Sequence, residues 1–317
     1  MRKYFSLWFV LLVMSASWPA FAFLFGRVDF SAEGDFSESA LQRGVKATQD
    51  QCEKVENAVW VSTKDYGEEC IKYWAAGFNG MPVERAVIFF HGDVWIGAGK
   101  TGKYYLEATN ETLQRDADTW SAKIGVPYIF IARPGTHGSS GDHMQRRRLV
   151  ESVLLSAALD KIKERMSIKK LVVVGQSGGG HVTSSLITLR SDIVCAVPTS
   201  GPSSPRIRQT LRGIARDQTG YVDHYEPTEH LEKSKMHEEL RVFVLGDPND
   251  ANVVWPSQLI MATKLQELGV NVEILAGEGT GAEHHGLSNS ARRVAGWCAN
   301  GLSKEDILRN AAKGLKG

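Results

Sequence analysis

The stretch that decides the fold is residues 171–180, with the sequence LVVVGQSGGG. Its apolar first half predicts a strand buried on both faces of a sheet. Ser177 follows in a G-x-S-x-G pattern, and the residues after Gly180 have helical character. A strand, a tight turn that carries serine, and a helix together form a nucleophile elbow, in which the flanking positions leave no room for side chains. The pattern therefore predicts Ser177 as a nucleophile.

A glycine-rich turn between a strand and a helix can also bind phosphate. The phosphate-loop pattern G-x-x-x-x-G-K-[ST] is absent from this stretch, which favours the elbow. In that interpretation the amide of Gly178 lies at a helix N-terminus and points toward the oxyanion that forms during attack on a carbonyl.

Strands and helices alternate along the chain on both sides of this stretch. Two strands, 57–62 and 70–78, have a hairpin pattern. Short apolar runs without clean alternation then predict buried strands at 86–90, 128–132, 171–175, 193–197, 241–246 and 272–275. Helical periodicity follows most of them, at 104–123, 146–163, 181–190, 256–268 and 289–299. The chain is therefore predicted to be a doubly wound α/β domain with an eight-stranded, mostly parallel sheet and helices on both faces.

A nucleophilic serine needs a histidine base and an acid that orients the histidine. After an elbow, the acid and then the histidine are expected beyond later strands. The penultimate predicted strand is followed by Asp247 and Asp250, and the last by His284 and His285. We favour Asp250, because the loop needs several residues to reach back over the sheet, and His285, because it precedes Gly286. Asp247, which also suits a turn, and His284 remain the alternatives.

A second donor for the oxyanion is expected in the loop after the strand at 86–90. That strand ends in His91-Gly92-Asp93, and the amide of Gly92 or Asp93 would be the donor. His91 itself is interpreted as a structural turn residue, because it precedes Ser177 in the chain.

Taken together, these motifs resemble the α/β-hydrolase-fold serine hydrolases over about residues 55–300. The segments 133–135 and 138–141 also resemble members of that superfamily. The His-Gly-Asp-Val sequence at 91–94 departs from the His-Gly-Gly-Gly of hormone-sensitive-lipase-like esterases. The resemblance implies hydrolysis of an ester, amide or related bond without a metal or organic cofactor.

Composition excludes several classes of protein. The 317 residues include 37 Lys+Arg and 36 Asp+Glu, which gives no support to nucleic-acid binding driven by phosphate neutralisation. The sequence contains no repeat of 20–50 residues, which excludes a solenoid or a propeller. The remaining histidines show neither H-E-x-x-H nor clustered ligand spacing, so no metal site is predicted.

Residues 1–22 are predicted to be a signal peptide. A basic start, an apolar run and the small-x-small sequence at 20–22 support cleavage before Phe23. The alternative is an uncleaved anchor, because residues 23–25 extend the apolar stretch. Cleavage would leave a single domain, 23–317, exported to the periplasm or secreted and not stably inserted in the membrane.

Export makes disulfides possible, and the four cysteines allow three connectivities. Cys52 and Cys70 flank a short predicted strand and are the favoured pair. Cys195 lies in an apolar run, where a buried thiol is the commoner state. The absence of C-x-x-C spacing argues against a zinc or redox site.

Residues 204–238 interrupt the alternation and are interpreted as a small cap over the site. The alternative is a solvent-exposed helix and loop that have no role in function.

Three functions are compatible with these residues. The leading one is a serine esterase that forms an acyl-enzyme on carboxylic esters. The alternative substrate is a peptide, as in a prolyl-oligopeptidase-like peptidase, which the segment 225–230 faintly resembles. The third hypothesis is a non-catalytic binding protein on the same fold, which an intact Ser, acid and His in order argues against.

Overall fold

An eight-stranded sheet forms the centre of the computed structural model, which describes residues 26–94, 101–216 and 218–317. The predicted signal peptide and the Phe23 start lie outside these residues. The strands are β1 Val28–Asp29, β2 Val45–Lys46, β3 Ala58–Thr63, β4 Gly67–Ala76, β5 Val83–Phe90, β6 Tyr128–Ile131, β7 Ile168–Gln176, β8 Ile193–Thr199, β9 Arg241–Gly246 and β10 Asn271–Ala276.

The large sheet has the order β10-β9-β8-β7-β5-β6-β4-β3. β3 and β4 form the predicted antiparallel hairpin, and β4 is also antiparallel to β6. Neighbours from β6 through β5 to β10 are parallel. The predicted eight-stranded, mostly parallel sheet is therefore confirmed, and β1 and β2 form a separate small ladder.

Helices cover both faces of the sheet. They are α1 Glu38–Arg43, α2 Gln49–Glu53, α3 Lys103–Leu106, α4 Asn110–Ile124, α5 Leu149–Arg165, α6 Gly178–Leu189, α7 Pro205–Arg212, α8 Trp255–Glu267, α9 Ser288–Ala299 and α10 Lys304–Ala311. Ile88 and Phe90 of β5 pack on the face that α5, α6 and α8 cover. Val87 and Phe89 pack on the opposite face with α4, α9 and α10. This alternation buries both sides of the central strands.

One predicted helix is wrong in its extent. The segment 104–123 is divided into α3 and α4, because Thr109 takes an extended conformation and begins a new helix. Its side chain accepts from the amide of Thr112, and the Thr112 hydroxyl accepts from the amide of Thr109. This reciprocal capping satisfies donors that a continuous helix would have used internally.

Two disulfides join distant parts of the chain. Cys52–Cys70 is present as predicted and ties α2 to β4. Cys195 is also bonded, to Cys298, so the expectation of a buried thiol is wrong. The reason is packing: α9 covers the face of the sheet to which Cys195 of β8 points, and the two Cα atoms lie 6.5 Å apart.

None of the helices in the described ranges has the length and apolar character needed to cross a membrane.

The parallel strands bring the predicted site residues to one edge of the sheet, the one formed by the carboxyl ends of the strands. β5, β7, β9 and β10 all end at this edge, with β8 between β7 and β9. The loops that follow them carry Gly92 and Asp93, Ser177, the two aspartates, and the two histidines, respectively. In open parallel sheets this carboxyl edge is where sites are built.

Candidate active site

Ser177 occupies a strained turn between β7 and α6. Its φ of 56° and ψ of −119° lie in a region that residues with side chains rarely adopt. The amide of Ser177 donates to Thr199 O at 2.8 Å, and the amide of His181 donates to Ser177 O at 3.1 Å, which starts the helix. The strand on one side and the helix on the other therefore hold the turn in place.

Close backbone approach explains the glycines beside Ser177. A Cβ on Gly175 would overlap the carbonyl oxygen of Gly179. A Cβ on Gly179 would in turn overlap the carbonyl oxygen of Phe90, at the end of β5. The G-x-S-x-G spacing is therefore a steric requirement of the fold at this point.

His285 and Asp250 form a close pair. His285 Nδ1 lies 2.8 Å from Asp250 Oδ2, and the side chains are 19% and 0% exposed. The other carboxylate oxygen accepts from the amides of Asn252 and Val253 at 2.8 and 2.9 Å. These bonds fix the carboxylate, so the imidazole has one defined orientation.

The alternative residues also form a pair, but a looser one. His284 Nδ1 lies 3.6 Å from Asp247 Oδ2, and the His284 side chain is 55% exposed. Asp247 accepts from the amides of Asn249 and Gly279 at 2.7 and 2.8 Å, so it shapes the loops after β9 and β10. His285 and Asp250 therefore form the closer and the more buried of the two pairs.

Gln176 is a site residue that sequence reasoning missed. Its amide nitrogen donates to His285 O at 2.7 Å, and its oxygen accepts from the amide of Leu287 at 3.0 Å. The end of β7 therefore holds the histidine loop directly beside Ser177. The only signal was its place within the elbow motif, because its partners lie more than 100 residues away in sequence.

The second ring nitrogen of His285 does not take part in the contact with Asp250. His285 Nε2 is buried and has no hydrogen-bond partner among the described residues.

The loop after β5 lies against the elbow. A Cβ on Gly92 would come within 3.4 Å of both Gln176 O and Ser177 Cβ. The carboxylate of Asp93 lies beside the Cα of Gly178. The structure thus brings together the three residues predicted to supply oxyanion donors.

His91 is a buried part of this loop. Its Nδ1 lies 2.6 Å from Gly92 O, and its Nε2 lies 3.0 Å from the Thr136 hydroxyl. Burial holds the pKa of His91 well below its usual range. A neutral ring that donates through Nδ1 to Gly92 O leaves Nε2 to accept from the amide of Arg133, which lies 3.3 Å away.

Burial of four histidines leads to a prediction about acid stability. Burial lowers the pKa of His137 and His181 to about 3, and the pKa values of His91 and His143 also lie well below the usual range. These rings are neutral when folded but gain a proton below about pH 6.5 when unfolded. Above about pH 6.5 the rings are neutral in both states, so their titration does not affect the free energy of unfolding. Between about pH 6.5 and pH 3 the free energy of unfolding falls as the pH falls, by up to about 1.4 kcal/mol per pH unit for each ring.

Urea unfolding at several pH values from 7.5 to 4.5 measures this loss. His181→Gln is expected to flatten the slope, because it removes one of the buried rings. A free energy of unfolding that does not change between pH 6.5 and 5 would contradict the interpretation.

The first helix of the predicted cap, α7, contacts the loop that carries Asp247 and Asp250. Arg208 of α7 donates to the carbonyl and side-chain oxygens of Asn252 at 3.0 and 2.8 Å. Arg212 and Arg216 are exposed, and Arg206 pairs with Glu229. The arginines of this segment therefore give no support to a preference for anionic substrates.

In the described parts of the chain, no group of three or more His, Cys, Asp or Glu side chains is arranged to hold a metal ion.

No protein-family model and no curated protein matches the sequence. Solved structures do match. Est1E from Butyrivibrio proteoclasticus, with ferulic acid bound, has a TM-score of 0.53 at 14% identity, over 80% of this chain and 100% of its own. The Pyrococcus furiosus esterase Pf2001 has a TM-score of 0.50 at 15% identity, over 84% and 94%.

A third structure is a peptidase. Prolyl oligopeptidase B from Galerina marginata has a TM-score of 0.52 at 14% identity, over 78% of this chain. The chain spans only 37% of that protein's length. At these identities the likeness concerns the fold, and this chain therefore has the α/β-hydrolase fold that these esterases and peptidases share.

Proposed function

We propose that this protein is an exported serine hydrolase that cleaves carboxylic esters through Ser177, His285 and Asp250. The observation that carries the proposal is the 2.8 Å contact between His285 and the fully buried Asp250, at the sheet edge where the strained Ser177 turn lies. A nucleophile, a base and an orienting acid in this order are what acyl transfer requires.

The proposed reaction begins with proton transfer from Ser177 Oγ to His285 Nε2. The serine oxygen attacks the ester carbonyl carbon, and Asp250 stabilises the imidazolium through Nδ1. The carbonyl oxygen becomes an oxyanion, which the amides of Gly178 and of Gly92 or Asp93 stabilise. The bond between the carbonyl carbon and the leaving oxygen then breaks, and His285 gives its proton to that alkoxide oxygen, which departs as the alcohol.

Water completes the cycle. His285 takes a proton from water, the hydroxide attacks the acyl-enzyme, and the acid product leaves as the proton returns to Ser177. Every proton transfer uses a protein group, so the proposed reaction needs neither a metal nor an organic cofactor.

The resemblance of the segment 225–230 to a peptidase has another explanation. The segment 225–230 makes internal contacts: His230 stacks on Tyr225 at 4.7 Å, and Glu226 accepts from Ser204 and the amide of Arg206. These contacts explain that segment without a bound peptide. A small-molecule ester is therefore the proposed substrate.

Export is proposed on separate grounds. Two disulfides join buried cysteines, and disulfides form mainly in oxidising compartments such as the periplasm or the extracellular space. The predicted signal peptide agrees with this location.

Turnover of chromogenic substrates tests the function. We expect kcat/KM for short p-nitrophenyl esters to exceed that for aminoacyl-p-nitroanilides by about tenfold or more, which is about 1.4 kcal/mol in the barrier. The opposite ranking would indicate a peptidase. No turnover of either class would favour the binding-protein hypothesis.

A further inference from the structure

The side chain of Asp93 has contacts that the proposed reaction does not use. Asp93 directly follows Gly92 in the oxyanion loop, and its carboxylate packs on Gly178, the first residue of α6. A Cβ added to Gly178 would overlap Asp93 Oδ1. The carboxylate therefore lies between the two backbone segments that carry the proposed oxyanion donors.

Three arginines surround this carboxylate. Arg133 Nη1 lies 2.8 Å from Asp93 Oδ1, Arg147 pairs with Oδ2, and Arg146 Nε lies 3.5 Å from Oδ2. The arginine side chains are 0–8% exposed. Burial alone would raise the pKa of Asp93, but the three guanidinium charges hold it well below its usual range. Asp93 is therefore ionised and firmly held.

A buried glutamate of α5 holds two of these arginines in place. Glu151 of α5 is 2% exposed and binds Arg133 through Nε and Nη2 at 2.8 and 2.7 Å. Its other oxygen accepts from the amide of Arg147 at 2.8 Å. Arg147 has a φ of 63°, which is unusual for a residue with a side chain. A continuous set of contacts thus runs from α5 through the arginines to the oxyanion loop.

We propose that Asp93 is a positioning residue, which seats the oxyanion loop against the nucleophile elbow through Arg133 and Arg147. This inference rests on the proposed function. Two amides from separate segments must reach one developing oxygen, and an error of about 1 Å in such geometry can cost about a hundredfold in rate. Charged contacts to nearly fully buried arginine side chains provide the necessary rigidity in a loop that exposes backbone donors.

A matched control separates positioning from general stabilisation. Asp192 also accepts from two cationic side chains, Arg190 and Lys163, and is 21% exposed, compared with 23% for Asp93. It precedes β8, so it lies at the opposite edge of the sheet from Ser177. Loss of either carboxylate removes an ion pair from a largely buried arginine, Arg133 or Arg190, and both variants should have a lower Tm.

The test compares steady-state kinetics of Asp93→Asn and Asp192→Asn on a short p-nitrophenyl ester. Asp93→Asn is expected to lower kcat by about 10²–10³, the typical effect of losing an oxyanion donor, with KM changed less than about threefold. Asp192→Asn should leave both constants within about threefold of the wild type. A kcat for folded Asp93→Asn within about threefold of the wild type, or an equal loss in both variants, would overturn the proposal.

A second variant decides the matter if Asp93→Asn does not fold. Arg147→Gln weakens the same contact from the other side and should lower kcat by about tenfold or more, again at nearly constant KM. An unchanged kcat in Arg147→Gln would then overturn the proposal. Absence of activity in the wild-type protein would refute the proposed function, whereas an active wild type with an active Asp93→Asn refutes only the positioning role.

Discussion

Ser177→Ala is expected to abolish ester hydrolysis, with kcat/KM falling by about 10⁴–10⁶. The substitution removes only the hydroxyl group, and the proposed acyl-enzyme forms on the oxygen of that group. The fold should persist, because the Ser177 contacts that shape the turn are made by its backbone. Alanine also retains the Cβ, so the strain at φ 56° is unchanged and Tm should shift little.

Ser184→Ala is a suitable control for this variant. Ser184 lies on the same helix, and its hydroxyl contacts Gly180 O and the Ser203 hydroxyl at 3.0 and 2.7 Å. It should retain activity within about tenfold, because its contacts only pack the helix. Near-wild-type turnover in Ser177→Ala would show that another residue is the nucleophile.

The second large effect separates the two histidine–aspartate pairs. His285→Ala should lose about 10⁴–10⁶ in kcat/KM, and Asp250→Asn about 10³–10⁴, because an asparagine stabilises the wrong imidazole tautomer. His284→Ala should lose less than about tenfold, since its ring is 55% exposed and lies 3.6 Å from Asp247. Kinetics on the short ester, with circular dichroism to verify folding, measure all of these effects.

Asp247→Asn completes this comparison. Asp247 holds two backbone amides in the loops that carry the site, so its loss should lower Tm and reduce activity only modestly. The reverse ranking, with Asp247→Asn and His284→Ala the more damaged variants, would move the functional pair to those residues.

The parts of this protein that the sequence predicted are those that local patterns determine. The run at 171–174 had to be a buried strand, and the glycines beside Ser177 are required by contacts within or next to the same turn. The order of the candidate acid and histidine was expected from the elbow pattern, in which both follow later strands. The choice between Asp247 and Asp250 depended on the path of one loop, which no local pattern determines.

Other features depend on packing between distant residues. Gln176 meets the histidine loop 109 residues later, and Cys298 meets Cys195 across 103 residues. Asp93 contacts Arg133 and Arg147, which lie 40 and 54 residues later in the sequence. By contrast, the start of α4 could have been found, because Thr109 and Thr112 have the spacing of a helix cap.

Covalent labelling with a fluorophosphonate tests the central claim most directly, because the reagent reacts much faster with an activated serine than with an ordinary one. Peptide mapping of the labelled wild-type protein should find one adduct, on Ser177, and labelling should be lost in Ser177→Ala and greatly slowed in His285→Ala. An adduct on another serine, or ester turnover by a protein that takes up no label, would contradict the assignment of Ser177 as a nucleophile activated by His285.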